Sequence, residues 1–108
     1  MILYGIPTCD TCRKARKELA AAGHEVVFRD VRAEPLSGED IARFEKAFGD
    51  RLINRSSATW RGLSETGRTA PAAALLAAHP TLMKRPLIEA GDTLTLGWGA
   101  AEKAAFLK

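Results

Sequence analysis

The strongest constraint on the fold lies in the first 31 residues, where two strand-like runs flank one amphipathic helix. Residues 2–4 form a short apolar run, and residues 25–31 are rich in β-branched and aromatic side chains. Residues 10–22 predict a helix with one buried face. Its apolar residues recur at steps of three or four, at Cys12, Ala15, Leu19 and Ala22. Because a strand, a helix and a strand in so short a span form a βαβ unit, the two strands are predicted to be parallel neighbours in one sheet.

The middle of the chain, about residues 36–80, is predicted to be helical. Ser37 is expected to be the N-cap of a helix that ends at Phe48, because two acidic residues follow it and a glycine closes the segment. Thr69 is expected to cap a later helix, with Pro71 near its start and an alanine- and leucine-rich body.

The end of the chain predicts a hairpin and a closing helix. Residues 85–89 and 93–96 are strand-like and are separated by a glycine and an aspartate, and residues 100–107 follow as a helix. The order is therefore β-α-β, a helical block, and β-β-α. This is an α/β chain of the thioredoxin or glutaredoxin type with a helical insertion. Since 108 residues with 46% hydrophobic content support one core, a single domain over residues 1–108 is predicted.

Composition narrows the class of protein. No apolar run approaches the ~18 residues that span a bilayer, and the first residues lack the features of an export signal, so a cytoplasmic protein without membrane contact is expected. In a reducing compartment, two cysteines at C-x-x-C spacing are typical of redox chemistry or metal binding rather than a structural disulfide. The 16 basic residues are interspersed with 13 acidic ones and aromatics are few, so direct nucleic-acid binding is not expected.

Cys9 is the candidate nucleophile. A thiolate is favoured where backbone N–H groups and the positive end of a helix dipole point at the sulfur, and Cys9 is expected at or beside the N-cap of the first helix. Arg13 and Lys14 lie on the first turn and are expected to add positive potential. The free N–H groups also make an anion site, so an oxyanion could be held beside the nucleophile.

Two interpretations of Cys12 remain open. Cys12 follows Cys9 by one helical turn, so its thiol could resolve a mixed disulfide or another adduct on Cys9. Alternatively, it is a small half-buried hydrophobe on the core face of the helix. Structural zinc is not predicted, because a second close pair of ligands is missing and His24 and His79 stand alone in the sequence.

Several segments match one family in order and spacing over nearly the whole chain. They are residues 4–16 (YGIPTCDTCRKAR), 52–57 (LINRSS), 82–88 (LMKRPLI) and 96–98 (LGW), together with Trp60. With these segments the chain resembles the arsenate reductase (ArsC) family of the glutaredoxin-linked type, including its Spx-like and reductase-like branches. The resemblance implies a thioredoxin-like fold with a helical insertion and a nucleophile at Cys9.

The resemblance also implies a mechanism and partners. In family members that reduce arsenate, the cysteine that matches Cys9 attacks the arsenic, glutathione adds to the adduct, and glutaredoxin closes the cycle. Arg85 matches an arginine that binds the oxyanion, and Pro86 matches a proline whose preceding peptide bond is cis. Glutathione is therefore the expected co-substrate and glutaredoxin the expected partner, with no bound cofactor.

The chain departs from the arsenate-reducing pattern in three places. Asn54 stands where a second oxyanion arginine is expected, with Arg55 as the nearest substitute, and residues 97–99 stand where a third is expected. Cys12 replaces a serine. Fewer guanidinium groups bind a doubly charged oxyanion less well. The predicted substrate-binding residues are Arg13, Arg55 and Arg85.

Two functions follow from the sequence. The first is a thiol-dependent reductase in which Cys9 and Cys12 are the catalytic residues and the substrate is an oxyanion such as arsenate or a glutathione mixed disulfide. The alternative is an Spx-like redox-sensing transcriptional regulator that binds RNA polymerase, because the resemblance implies that the C-x-x-C pair of such regulators forms a sensing disulfide.

Overall fold

The computed structural model describes residues 1–107 and contains two compact units. The strand unit comprises residues 1–30 and 85–107, and the helical unit comprises residues 31–84. The strands are β1 (Ile2–Gly5), β2 (Val27–Asp30), β3 (Leu87–Ala90) and β4 (Thr93–Leu96). The helices are α1 (Asp10–Ala21), α2 (Gly38–Phe48), α3 (Ala58–Arg61), α4 (Glu65–Arg68), α5 (Ala72–Ala78) and α6 (Ala100–Phe106). That the two units form one domain stays a prediction.

The strand unit contains one mixed four-stranded sheet in the order β2-β1-β3-β4. β1 pairs with β2 in parallel, while β3 is antiparallel to both β1 and β4. The α/β fold class and the thioredoxin-like βαβ…ββα order are confirmed. Leu3 lies opposite Phe28 on one side and Ile88 on the other, so the centre of the sheet is apolar.

The hairpin between β3 and β4 depends on Gly91. Ala90 pairs with Thr93, which leaves a two-residue loop of Gly91 and Asp92. Gly91 has φ of +61°, whereas no residue other than glycine has a positive φ in residues 1–107. A positive φ at the first loop residue alone is the pattern of a type II′ turn, whose twist matches the flanking strands.

The core of the strand unit lies between the sheet and its two helices. It is built from seven buried residues: Leu3, Cys12, Ala15, Leu19, Ile88, Trp98 and Phe106. Three of the four predicted apolar positions of α1 are among them. Ala22, the fourth, is exposed, because α1 ends one residue earlier and Ala22 is its C-cap.

The helical unit begins as the sequence predicts. Ser37 caps α2, and its side chain accepts a hydrogen bond of 3.1 Å from the backbone N–H of Asp40. Ile41 and Phe44 are buried on one face of α2. After Phe48, Gly49 ends the helix with φ of +56°.

The predicted cap at Thr69 is wrong. Thr69 is the C-cap of the short helix α4, and its hydroxyl donates to the carbonyl of Thr66 at 2.8 Å. The N-cap of α4 is Ser64, whose side chain accepts from the N–H of Gly67 at 3.0 Å. The N-cap of the next helix, α5, is Pro71. Thr69 therefore ends one helix rather than beginning another.

Two predicted strands are shorter than expected. β2 begins at Val27 rather than at residue 25, because β1 offers only four residues and Val27 already pairs with Ile2 at its first position. β3 begins at Leu87 rather than at residue 85, since Pro86 has no N–H to donate to a neighbouring strand. Across residues 1–107, none of the helices has the length and hydropathy that a membrane-spanning segment needs.

The position of Leu19 in this core gives a prediction of stability. Leu19 is fully buried, so Leu19→Ala should lower the free energy of unfolding by about 2–5 kcal/mol, measured from urea midpoints. Val27→Ala is the control, because Val27 is 58% exposed and should cost much less. Equal losses for the two variants would contradict the described packing.

Candidate active site

Cys9 is the N-cap residue of α1 and is half-buried. Its backbone is extended, with φ of −82° and ψ of 117°, as N-cap residues usually are. The N–H of Cys9 donates to the carbonyl of Ile6 at 3.2 Å, and the carbonyl of Cys9 accepts from the N–H of Arg13 at 3.0 Å. These two bonds fix the loop between β1 and α1, so the Cys9 sulfur lies at the positive end of the helix dipole.

The surroundings of Cys9 favour its thiolate. Burial raises the pKa of Cys9, but four interactions lower it, and together they bring the pKa below its ordinary value. Two come from Cys12, through its backbone N–H and its thiol, and two come from Arg85, through a hydrogen bond and through its charge. The Cys9 side chain makes no regular capping hydrogen bond, unlike Ser37, Ser57 and Ser64, which cap α2, α3 and α4. A lowered pKa at a half-buried sulfur is the property of an activated nucleophile.

Cys12 differs sharply from Cys9. Its side chain is fully buried. Burial is the main cause that raises the pKa of Cys12 to about 12, and the hydrogen bond and charge of Cys9 add to the rise. A backbone hydrogen bond from Ile6 and the charge of Arg85 lower the pKa, but by less. Cys12 is therefore a protonated thiol at neutral pH. Cys12 lies on the core face of the helix, as one of its two interpretations predicts, but it is fully buried rather than half-buried, and its role as a resolving thiol stays a prediction.

Arg85 is the cation that the structure brings to Cys9. It is half-buried and interacts with the Cys9 sulfur through a hydrogen bond and through its charge. The peptide bond from Arg85 to Pro86 is cis, as the family resemblance implies. The predicted contact of Arg85 with a substrate oxyanion is compatible with this position and stays a prediction.

Arg13 occupies a different environment from the one the sequence suggested. Its guanidinium forms an ion pair and hydrogen bond with Asp10, and its side chain is 65% exposed. Arg13 is not among the groups that shift the pKa of Cys9, because the neighbouring carboxylate offsets its charge and water screens it. The predicted role of Arg13 in substrate binding has no support from these contacts.

Arg55 lies in the helical unit. Its guanidinium donates to the carbonyl of Asp50 at 2.9 Å, lies 3.8 Å from the Asp50 carboxylate, and stacks 5.3 Å from the centre of the Trp60 ring. It lines a pocket of about 420 Å³ with two other cationic residues, Arg51 and Lys84. The predicted anion-binding role of Arg55 therefore fits the charge of its surroundings and stays a prediction.

Two residues that position the site were missed by the sequence analysis. Gly5 reads only as a turn residue, yet a Cβ atom there would lie 2.5 Å from Sγ of Cys12. Trp98 appears in the sequence analysis only within segments compared with the family. It is buried in the core of the strand unit, and its indole N–H donates to the carboxylate of Glu18 at 2.6 Å, which ties α1 to the segment after β4. A signal existed for Gly5, since a glycine at a strand end permits close backbone approach.

The pKa of Cys9 gives a prediction for Arg85. Removal of its positive charge in Arg85→Gln should destabilise the thiolate and move the pKa of Cys9 upward. The measurement is the rate of alkylation by iodoacetamide between pH 5 and 10, where Cys12 stays protonated. The midpoint should move to higher pH in Arg85→Gln and stay in place in Arg13→Gln. A larger shift in Arg13→Gln would contradict the assignment.

Comparison with known proteins agrees with this geometry. The model of the ArsC family matches residues 4–106. An uncharacterised protein of Haemophilus influenzae is 38% identical over 96% of each chain, and the global transcriptional regulator Spx of Bacillus subtilis is 33% identical over 97% of this chain and 85% of its own.

Solved structures agree as well. The YffB protein superposes with a TM-score of 0.90 at 32% identity, covering 99% of this chain and 98% of its own. A solution structure of an arsenate reductase (ArsC) related protein from Brucella melitensis gives a TM-score of 0.77 at 37% identity, covering 99% of this chain and 93% of its own. Sequence, fold and the position of Cys9 thus lead to one conclusion, that the chain belongs to the ArsC family.

Proposed function

We propose that this protein is a thiol-dependent reductase in which Cys9 is the nucleophile. The observation that carries the proposal is the environment of Cys9, a half-buried sulfur at a helix N-terminus whose thiolate is stabilised by Arg85 and by Cys12. Structural cysteines lie in apolar surroundings that favour the protonated thiol, whereas here the balance is reversed. Membership of the ArsC family supports the same chemistry.

The reaction that best fits this site is exchange with a glutathione mixed disulfide. The Cys9 thiolate attacks the glutathione sulfur, the S–S bond of the substrate breaks, and the substrate leaves as a thiolate that takes a proton from water. Cys9 is then disulfide-bonded to glutathione. A free glutathione thiolate attacks that bond, releases glutathione disulfide and restores the Cys9 thiolate. Reduction of each substrate disulfide therefore consumes one glutathione thiol, and the glutathionyl group of the substrate leaves as the other half of glutathione disulfide.

Arsenate is the second candidate substrate within this proposal. Its reduction to arsenite consumes two thiols, forms one disulfide and releases one water. Arg85 and the N–H groups at the start of α1 would hold the oxyanion beside Cys9. The sequence has asparagine at residue 54 and Gly97, Trp98 and Gly99 where two further arginines would be needed, so arsenate should be the poorer substrate.

Glutathione as co-substrate and glutaredoxin as partner belong to the same proposal. Glutathione is a soluble thiol that can reach a half-buried sulfur, and glutaredoxin would reduce the glutathione adduct where glutathione alone is slow. A cytoplasmic location would supply both.

The proposal predicts the loss of turnover in Cys9→Ser. With a glutathionylated peptide, glutathione and a coupled assay for glutathione disulfide, wild type should turn over and Cys9→Ser should fall to the uncatalysed rate, because a serine hydroxyl is not ionised at pH 7. Val27→Ala is the control and should keep full activity. Equal rates in wild type and Cys9→Ser would refute the proposal. In a parallel assay with arsenate as the substrate, wild type should give a much lower kcat/KM than with the glutathionylated peptide.

A second function is supported by a different observation. Cys9 and Cys12 interact through their side chains, and the similarity to Spx covers 97% of this chain. The protein would then be a redox-sensing regulator whose Cys9–Cys12 disulfide alters its binding to RNA polymerase. Formation of this disulfide joins the two sulfurs and passes two electrons to an oxidant such as a peroxide.

A pull-down separates the two functions. Reduced and diamide-oxidised protein would be compared for capture of purified RNA polymerase, with a Cys12→Ser protein as the control that cannot form the disulfide. A regulator should show capture that depends on oxidation in wild type and not in Cys12→Ser, without turnover in the reductase assay. Absence of capture in both states would exclude this second function.

A further inference from the structure

A pocket of about 420 Å³ in the helical unit is built on two short antiparallel segments of backbone. The N–H of Asn54 donates to the carbonyl of Leu82 at 2.7 Å, and the N–H of Lys84 donates to the carbonyl of Leu52 at 2.8 Å. Leu52 and Leu82 are fully buried, so these bonds anchor both segments in the unit. Asn54 and Lys84, which line the pocket, are therefore held on a fixed backbone.

The charges that line this pocket do not cancel. Arg55 donates to the carbonyl of Asp50 at 2.9 Å and lies 3.8 Å from its carboxylate, so these two side chains compensate each other. In the part of the chain that the structure describes, neither Arg51 nor Lys84 has a carboxylate partner. The Arg51 guanidinium lies 5.9 Å from the centre of the Phe48 ring, a contact that orders the side chain without neutralising it. Two positive charges are thus left at one concave surface, where they attract anions.

The uncharged polar side chains of the pocket can donate hydrogen bonds. Oδ1 of Asn54 accepts from the backbone N–H of Ser56 at 3.0 Å, so the amide N–H groups of Asn54 remain for a ligand. The hydroxyl of Ser56 is a further donor. Two cations and several neutral donors fit a ligand that accepts hydrogen bonds and carries two negative charges. A phosphoryl group has these properties, whereas a carboxylate carries only one charge.

We propose that this pocket binds the phosphoryl group of a small organic phosphate, with Arg51 and Lys84 as the charged partners of its oxygens. Arg55 acts indirectly, because it neutralises Asp50, which would otherwise repel the ligand. The volume lies in the range of pockets for small organic ligands and exceeds what a lone phosphate ion fills, so the rest of the molecule occupies the remaining space. This binding involves no thiol chemistry and goes beyond the proposed reductase function.

Backbone NMR signals locate the ligand. Reduced, ¹⁵N-labelled protein would be titrated with inorganic phosphate and with glycerol 3-phosphate, at an ionic strength held constant with sodium chloride. The amide signals of residues 50–56 and of Lys84 should move and saturate. Movement at residues 9–13 alone would place the anion at the start of α1 and overturn the proposal, and so would the absence of saturable movement in both segments.

Charge substitutions test the two partners. Arg51→Gln and Lys84→Gln should each weaken the binding of glycerol 3-phosphate about tenfold, since each removes a charge-assisted hydrogen bond. Lys46→Gln is the matched control, because Lys46 is an exposed lysine of α2 in the same unit and does not line the pocket. Its Kd should stay within about twofold of wild type. Equal weakening in the three variants would show an effect of net charge alone and overturn the proposal, and the dispersion of the same spectra shows that each variant is folded.

The pH dependence tests the charge of the ligand. The charged side chains that line the pocket are Asp50, Arg51, Arg55 and Lys84, with no histidine among the lining residues. Binding of the monoester should therefore weaken about fourfold between pH 7.5 and pH 5.5, because its second ionisation has a pKa of about 6 and the dianion is lost below it. An unchanged Kd would overturn the assignment of a dianion.

The two probes separate the sources of the phosphoryl group. A lower Kd for glycerol 3-phosphate than for inorganic phosphate supports an organic ligand, whereas an equal or higher Kd would overturn it in favour of the free ion. None of these titrations requires turnover at Cys9. A protein that binds the monoester but lacks reductase activity therefore defeats the reductase function alone, and a protein with the opposite result defeats the phosphoryl site alone.

Discussion

The closest approach between β1 and α1 in the strand unit is at Gly5, where the backbone of the strand lies so near Cys12 that a Cβ atom on residue 5 would be 2.5 Å from the Cys12 sulfur. The contact sets the depth at which α1 lies on the sheet. With α1 at this depth, Ala15 and Leu19 pack in one core with Leu3 and Ile88. Cys9, the N-cap of α1, lies at the edge of that core. The fold of the strand unit and the placement of its reactive sulfur thus depend on one close approach.

The close contact between Gly5 and Cys12 also gives the two cysteines different protonation states. Both belong to one turn of one helix, but Cys12 is fully buried while Cys9 keeps part of its surface in solvent. Burial opposes ionisation at both sulfurs, and only Cys9 has enough compensating interactions to reverse the effect. The asymmetry arises from depth in the fold rather than from the identity of the residues, which is the same.

The sequence predicted what local patterns determine. The cap at Ser37, the two-residue turn at Gly91 and the βαβ unit each follow from neighbouring residues, and all three are present. The start of β2 was misplaced because it depends on the length of a strand more than 20 residues away. Thr69 was misassigned because threonine is compatible with either end of a helix, and only the hydrogen bond to Thr66 distinguishes them.

The candidate site shows the same limit. Cys9 could be identified from its position between a strand and a helix, and Arg85 from the family resemblance. The weak influence of Arg13 on the pKa of Cys9 could not be predicted, because it depends on the ion pair between Arg13 and Asp10. A sequence does not show which of several nearby partners a flexible side chain binds. The depth of Cys12 was likewise left open, since it depends on the missing side chain of Gly5.

The two tryptophans of the chain have contrasting surroundings, one in each compact unit. Trp98 is buried in the core that contains Cys12 and hydrogen-bonds to Glu18, whereas Trp60 is half-buried and flanked by the guanidinium groups of Arg55 and Arg68. Indole emission depends on the polarity and charge around the ring. The protein therefore carries two built-in optical reporters, so that the integrity of the strand unit and that of the helical unit can be followed separately by replacing one tryptophan at a time.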